Sequence, residues 1–458
     1  MCCGSAGLHL WRACTIVMVM LGRSPVTLSS IATLLTACAT ERIVNPPPPP
    51  PPPPGSLSVV VNVTGNGTDA DGFSLTVGTL PAVHIVPNGA ATVDGLPPGM
   101  YTLRLDDVAP QCYTAYTNTQ SVIIASQQTS SVQLLATCFG GIAYNGTDGG
   151  NDYRIFYLGE DGRTTQLTFG PGTESLRDWT RDGTRVIFES RPNGFSTAGD
   201  LYSIKIDGTD LQRLTTDPWD DQLPSVSPDG KSIVFQRVNT PTSVQASLYI
   251  VNTDGTGEHP LLDLGHMDFD ATWAGGDTIV FSCDRFGASW DLCAVASDGT
   301  GLRKVLSSMG GQNAVVSPDG THLAFESFAG GQAYWVAPLP SGTPVRLTPD
   351  EVSYSAAWSP DGSQLVIATA IGVPNNPKYR LERVNWDGTG LTPLTEFFDA
   401  AGDGTWSADG KRIVYSAQRA SSQQLWVMKP DGTDAHPITA GPYSKFHPLW
   451  NPKAQPGL

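Results

Sequence analysis

SVSPDGKSIVF, residues 225–235, has relatives at WTRDGTRVIF (179–188), WAGGDTIVF (273–281), VSPDGTHLAF (316–325), WSPDGSQLVI (358–367) and WSADGKRIVY (406–415). A string that recurs so evenly is a construction part before it is a site. Asp-Gly suits a tight hairpin because Gly, and tolerably Asp, adopts positive φ at little cost, while Pro presets φ one position earlier. Each copy therefore reads as strand, turn, strand.

A second marker runs between these copies: EDGRTTQL (160–167), IDGTDLQRL (206–214), TDGTGEHPL (253–261), SDGTGLRKV (297–305), PSGTPVRL (340–347), WDGTGLTPL (386–394) and PDGTDAHPI (430–438). From Asp161 through Asp207, Asp254, Asp298, Ser341 and Asp387 to Asp431 the markers span 270 residues in six steps, or 45 residues per unit. That is the length of a four-stranded propeller blade. Seven markers predict seven blades over residues 139–458, or six if 139–169 is only a linker. The first unit, GIAYNG (141–146) and YRIFYLGEDGRTTQLT (153–168), lacks a first strand, and FHPLWNP (446–452) is a strand without a unit. Joining the two closes the ring and removes the open sheet edge.

These repeats resemble those of the TolB-type β-propellers, relatives of the tryptophan-aspartate repeat family. The resemblance covers about 320 residues and implies a periplasmic or surface protein whose propeller engages other proteins. The chain departs from the family's usual form, six blades after an α/β domain and no lipid anchor, both in its blade number and in what precedes the repeats.

Residues 55–138 alternate apolar and polar positions in short runs such as SLSVVVNV and YTLRLDDV, punctuated by Gly, Pro and Asn. They predict a small antiparallel, Ig-like β-sandwich. The stretch VDGLPPGMYTLRL (93–105) resembles the turn-and-strand signature of PEGA and carboxypeptidase-regulatory-like domains.

Upstream lies a run of nine prolines, Pro46–Pro54. With φ fixed and no amide donors it forms a polyproline II rod of about 28 Å, a spacer over residues 38–54. Before it, TLSSIATLLTA (27–37) ends at Cys38, and Leu35-Thr36-Ala37-Cys38 resembles the bacterial lipobox, which implies a signal peptide over 1–37 and lipid on Cys38. Met18 or Met20 is the expected start, because a lipoprotein signal begins close to its basic residue.

The four remaining cysteines of the mature chain, Cys112, Cys138, Cys283 and Cys293, are an even number in an exported protein. Their positions favour Cys112–Cys138 and Cys283–Cys293 disulfides, one per domain. A zinc site is the alternative, but no Cys-x-x-Cys pair or nearby His supports it.

The chain of 458 residues carries a formal charge of −16, which disfavours nucleic acid and anionic lipid surfaces. Fifteen aspartates precede a glycine, so much of this acidity is turn chemistry. Both Asp-Gly turn types fall on one face of the ring. The other face carries loops that vary: ESRPNGFSTAG (189–199), QRVNTPTSVQA (236–246), CDRFGASWD (283–291), TAIGVPNNPK (369–378) and SAQRASSQQ (416–424). Variable loops on a rigid scaffold are where binding resides, so Arg191, Arg237, Arg285, Phe286, Trp290, Asn375 and Arg419 are the candidate binding residues. Asp178, Asp220, Asp221, Asp268, Asp270 and Asp403 recur just before the first strands. Carboxylates there can bind a metal or act as acid and base, but recurrence in several units favours backbone-fixing roles.

No Gly-x-Ser-x-Gly elbow occurs, and His266 and His447 alone fall in blade connections, too few for a metal cluster. NGTDADG (66–72) and NGTDGGND (145–152) lack the terminal Glu of a calcium loop and read as glycine-rich turns. The sequence thus points to a lipid-anchored protein of the bacterial envelope, on the periplasmic face of the outer membrane or the cell surface. It binds a protein or glycan partner, touches the membrane only through its anchor and needs no cofactor or metal. The alternative is an enzyme, lyase or hydrolase, using the propeller channel on carbohydrate or peptide.

Overall fold

The computed structural model describes residues 50–452 except 66, 70, 110–111, 115–118, 139, 148, 151, 195–196, 239–244, 288–289, 307–308, 330, 350–351, 374–375, 398–400 and 419–421. Residues 1–49, with Cys38 and the first four prolines of the run, and Asn375 and Arg419 lie outside the described residues. Pro50–Pro54 is exposed and has no regular secondary structure.

Gly55–Cys138 folds as two four-stranded sheets packed face to face. One has the order Ala90–Leu96, Gly55–Gly65, Thr129–Cys138, Cys112–Thr114; the other has Val83–Ile85, Phe73–Val77, Gly99–Asp106, Thr119–Ile124. The alternation that marked these strands buries one side of each: Leu57, Val59 and Val61 meet Phe73, Leu75, Val77, Leu103 and Leu105 in a single core. One expectation is corrected. The sandwich is not wholly antiparallel, because Gly55–Gly65 runs parallel to Thr129–Cys138 along ten paired residues. First and last strands enter the sheet from the same end, and alternation alone says nothing about direction. Cys112 faces Cys138 directly across an antiparallel pair, and the two are bonded.

From Ile142 on, seven four-stranded antiparallel sheets follow among the described residues. In the second of them, Thr173–Trp179, Arg185–Arg191, Asp200–Lys205 and Gln212–Arg213 pair in sequence order, and the others repeat this meander. The first differs in origin: Ile142–Thr147, Tyr153–Leu158 and Thr164–Gln166 supply three strands, and Lys445–Trp450 supplies the fourth by pairing antiparallel with Ile142–Thr147.

The quoted string explains its own geometry. Ser227 Oγ donates to Asp229 Oδ1 at 2.7 Å and accepts from Ser232 N at 3.0 Å, closing the hairpin around Gly230, whose φ is 74°. The same bonds recur at Ser317, Ser359 and Ser407. In the other turn type Asp207 Oδ1 accepts from Thr209 N at 2.9 Å and Thr209 Oγ1 at 2.6 Å, and Asp254, Asp298, Asp387 and Asp431 do likewise. These bonds hold the exposed turn carboxylates below their ordinary range. The acidity is therefore largely turn chemistry, as the Asp-Gly count suggested.

Neighbouring sheets pack through clusters seeded by the last residue of the first strand, such as Trp273 with Val234, Leu248, Ile279 and Phe281. At the closure Trp450 packs with Ile142, Tyr144, Val414, Leu425, Val427 and Ile438, so it touches the first and the last sheet at once. Past Trp450, Asn451 Nδ2 donates to Gly183 O at 2.8 Å. A Cβ on Gly183 would stand 2.1 Å from Asn451 Oδ1, so this turn needs glycine for close approach as well as for its φ of 71°. Replacing Trp450 by Ala is expected to cost about 3–5 kcal/mol of stability by chemical denaturation, the range for a buried aromatic; a loss under about 1 kcal/mol would mean that the closing strand carries little of the fold.

Candidate functional site

The first strands of successive sheets lie side by side around the axis, and each contains a bulge. Three residues before the strand's last position, Leu223, Asp270, Asn313, Asp403 and His447 take φ values of 50–54°. Non-glycine residues rarely adopt this left-handed region, so something must hold them there. The holding groups come from the preceding sheet: Glu189 Oε1 accepts from Leu223 N at 2.8 Å, and Gln236 Oε1 from Asp270 N at 3.5 Å; Asn145 Oδ1 likewise accepts from Leu176 N at 2.9 Å, though Leu176 is not left-handed. Tryptophan adds a second tie, with Trp273, Trp358 and Trp406 Nε1 donating to Ser225, Val315 and Ala357 O at 3.0–3.2 Å.

The recurrent aspartates serve this framework, inside the first strands rather than before them. Asp178 Oδ2 accepts from Val226 N of the next sheet at 2.9 Å. Asp270 is buried, which pushes its carboxyl up, while the backbone N–H of Asn313 holds it down. Asp403 Oδ2 meets His447 Nδ1 at 2.8 Å across the closing seam. His447 accordingly belongs to the closing strand, not to a blade connection. His266, also singled out by sequence, pairs with Asp284 at 3.2 Å. No cluster of three or more His, Cys, Asp or Glu suited to a metal occurs among the described residues.

The three described candidate arginines are not open loop residues. Arg191 is the last residue of its strand, buried between Glu189 at 2.7 Å and Asp220 at 3.0 Å. Arg237 forks onto Asp221 at 2.7 and 2.9 Å, reaches Glu258 at 2.7 Å, and lies over the Tyr249 ring. Arg285 joins Asp268 at 2.6 Å to Asp263 at 2.6 Å. A buried guanidinium needs carboxylate neighbours, and besides Glu189 on Arg191's own strand and Glu258 in a third-to-fourth turn these stand on first strands (Asp220, Asp221, Asp268) and a blade connection (Asp263), which loop variability alone does not reveal. The arginines pin the loop bases.

The aromatics fare differently. Phe286 and Trp290 are exposed in the loop closed by the Cys283–Cys293 disulfide. Trp290 packs edge-on against Phe269 of a first strand, ring centroids 5.0 Å apart. Beside it, Gly310, Gly311, Gln312, Phe328 and Ala329 complete a groove of about 320 Å³, with Phe328 57% exposed at its rim. Phe328 was not singled out from the sequence; its signal was its place in ESFAGG, the fifth sheet's short second-to-third loop. Phe169, Trp219 and Tyr443 are exposed on the connections of this same face, whereas the Asp-Gly face shows Trp386 alone among the exposed described rings of the propeller. Of the sequence candidates that are described, Phe286 and Trp290 stand exposed on this face, whereas Arg191, Arg237 and Arg285 are held by carboxylates.

No protein-family model matches the chain. The Tol-Pal system protein TolB of Anaeromyxobacter sp. strain K is 31% identical over 107 residues, which is 23% of each chain. The chain spans less than half the length of the curated relatives it matches. Among solved structures, an oligogalacturonate lyase in complex with manganese superposes with a TM-score of 0.51 at 14% identity, over 72% of this chain and 93% of the lyase. TolB from Acinetobacter baumannii gives 0.46 at 19% identity, over 69% and 67%.

Two measurements check this framework. Burial pushes Glu174 up to about 7, against the pull of Arg154 at 3.0 Å. A folded value above the ordinary 4.5 means that the associated stability is present below pH 4.5 and is lost as pH rises through about 7. Unfolding free energy of the native protein should therefore fall across that window by more than that of Glu174→Gln; identical slopes would contradict the assignment. Alkylation without reductant should leave Cys112, Cys138, Cys283 and Cys293 unlabelled, and a labelled Cys283 would remove the loop staple. With the ring and its ties in place, the repeat region has the β-propeller fold, and 107 of the chain's residues are similar in sequence to TolB.

Proposed function

We propose that this chain is a non-catalytic binding protein of the bacterial envelope, held by lipid on Cys38 and offering the variable face of its propeller to a protein or glycan partner. The observation that carries the reading is the one-sided placement of exposed aromatic rings: Phe169, Trp219, Phe286, Trp290, Phe328 and Tyr443 on the variable face against Trp386 on the other. Large rings presented on a rigid scaffold are typical anchors of recognition, since they bring contact area at small conformational cost. Two disulfides suit an oxidising compartment outside the cytoplasm, and no helix among the described residues is long and apolar enough to cross a membrane. Contact with the membrane through the anchor, and none with nucleic acid, agrees with the charge of −16.

A second reading rests on the His447–Asp403 pair. A carboxylate orienting one ring nitrogen, with the imidazole half exposed on an axial strand, is an arrangement that general-base catalysis uses. Under this reading the propeller acts as a lyase or hydrolase on carbohydrate or peptide; turnover lost in both His447→Gln and Asp403→Asn would establish it.

A photo-crosslinking residue at Phe328 decides the first reading. In intact envelopes it should give one discrete adduct, reduced at least tenfold by Trp290→Ala, while the same probe at Trp386 gives none. Equal labelling from both faces would overturn it.

A further inference from the structure

The repeats provide an internal comparison for the closing seam. Five residues before the end of the first strand, the second, third and fourth sheets carry Glu174, Asp221 and Asp268, buried carboxylates paired with Arg154, Arg237 and Arg285 at 3.0, 2.7 and 2.6 Å. In the closing strand the same position is Lys445. In the third sheet the arginine stands on the second strand at Arg237, its guanidinium 4.2 Å from the Tyr249 ring centre and 5.3 Å from that of Phe235. The matching position of the first sheet is Gly146, and the rings matching Tyr249 and Phe235 are Phe156 and Tyr144, stacked at 5.5 Å. Set against those three sheets, the closing strand lacks the arginine side chain and reverses the charge of its partner; the fifth, sixth and seventh sheets have the uncharged Gly311, Ser353 and Ala401 at this position.

What remains is a cavity of about 540 Å³ at this seam, whose lining includes Tyr144, Gly146, Phe156, Gln166, Tyr443 and Lys445. Its size is within the range of small-molecule sites. Lys445 Nζ donates to Gln424 Oε1 at 3.2 Å, Ala440 O at 3.0 Å and Tyr443 O at 3.2 Å. These are neutral acceptors. They solvate the ammonium without cancelling its charge, and no carboxylate among the described residues forms an ion pair with it. A half-buried cation beside an empty space, where the second, third and fourth sheets hold a carboxylate paired with arginine, calls for an anion from outside.

We propose that this cavity binds a small organic carboxylate with a flat apolar body. The body lies over Phe156 and Tyr144 where Arg237 lies over Tyr249 in the third sheet, and the carboxylate faces Lys445. The ligand bridges the first and seventh sheets, so its binding also ties the ring shut. The site is separate from the groove at Trp290 and does not depend on the reading given to that groove.

The test uses the purified mature protein and two probes of equal shape, phenylacetate and 2-phenylethanol, followed by ligand-observed NMR and thermal melting. Phenylacetate should bind saturably, at least about tenfold more tightly than the alcohol, and raise the melting temperature. Lys445→Arg should keep this preference and Lys445→Met should abolish it. Saturable binding of neither probe, or equal binding of both, would overturn the proposal from the native protein alone, whether or not a variant folds. So would a folded Lys445→Met that still prefers the acid.

Discussion

The pairing of Lys445–Trp450 with Ile142–Thr147 is the constraint on which the rest of the propeller depends. Without it the second strand of the first sheet would present unpaired amide and carbonyl groups, and Tyr144 would lose the cover of Trp450. A ring of sheets has no other place to absorb such a gap, because every sheet packs only on its two neighbours. Chain ends more than 300 residues apart in sequence thereby become one structural unit. Asn451 then reaches beyond the first sheet to Gly183 of the second, so the C-terminal segment binds two sheets in succession.

Between sheets the ties are polar and directional as well as apolar. Left-handed bulge residues are costly by themselves, on the order of 1 kcal/mol or more each, and side chains such as Glu189 and Gln236 hold their backbones from the sheet before. The outer strands have a tie of their own: Thr168, Thr215, Thr348, Thr395 and Thr439, each just after a Leu or Ile, accept a backbone N–H from the third strand at 3.0 Å. These threonine bonds act within one sheet, while the apolar clusters provide most of the attraction between sheets. Rigidity at the base of the variable loops follows, since Arg191, Arg237 and Arg285 anchor them to first strands and connections. The rings at the loop tips are left for contact with a partner.

Much of the architecture was legible in the chain because turns are local. An Asp-Gly pair declares its hairpin through bonds within five residues, and a 45-residue period needs no knowledge of packing. Ring closure was legible for a related reason, since one incomplete unit and one surplus strand have a single economical resolution. The parallel pairing inside the sandwich was not, because it joins residues 73 apart, such as Ser56 and Thr129, and leaves no mark on either strand. Nor were the arginines, whose carboxylate partners come from neighbouring strands; a charged residue in a variable loop looks solvated until its counter-charge is located. The Leu-Thr pairs were present in the sequence as a repeated dipeptide, and their threonines report the third-to-fourth strand register.

The closing seam joins the two themes. It is both the place where the ring is completed and the place where the ion pair of the second, third and fourth sheets gives way to a lysine lining the same cavity as two stacked rings. Native-state hydrogen exchange of the full chain tests the closure most directly. The account predicts that the paired amides of 445–450 exchange with the slow class that includes 142–147, as one cooperative unit. Exchange of 445–450 at the rate of an unstructured tail, with 142–147 protected or not, would contradict it.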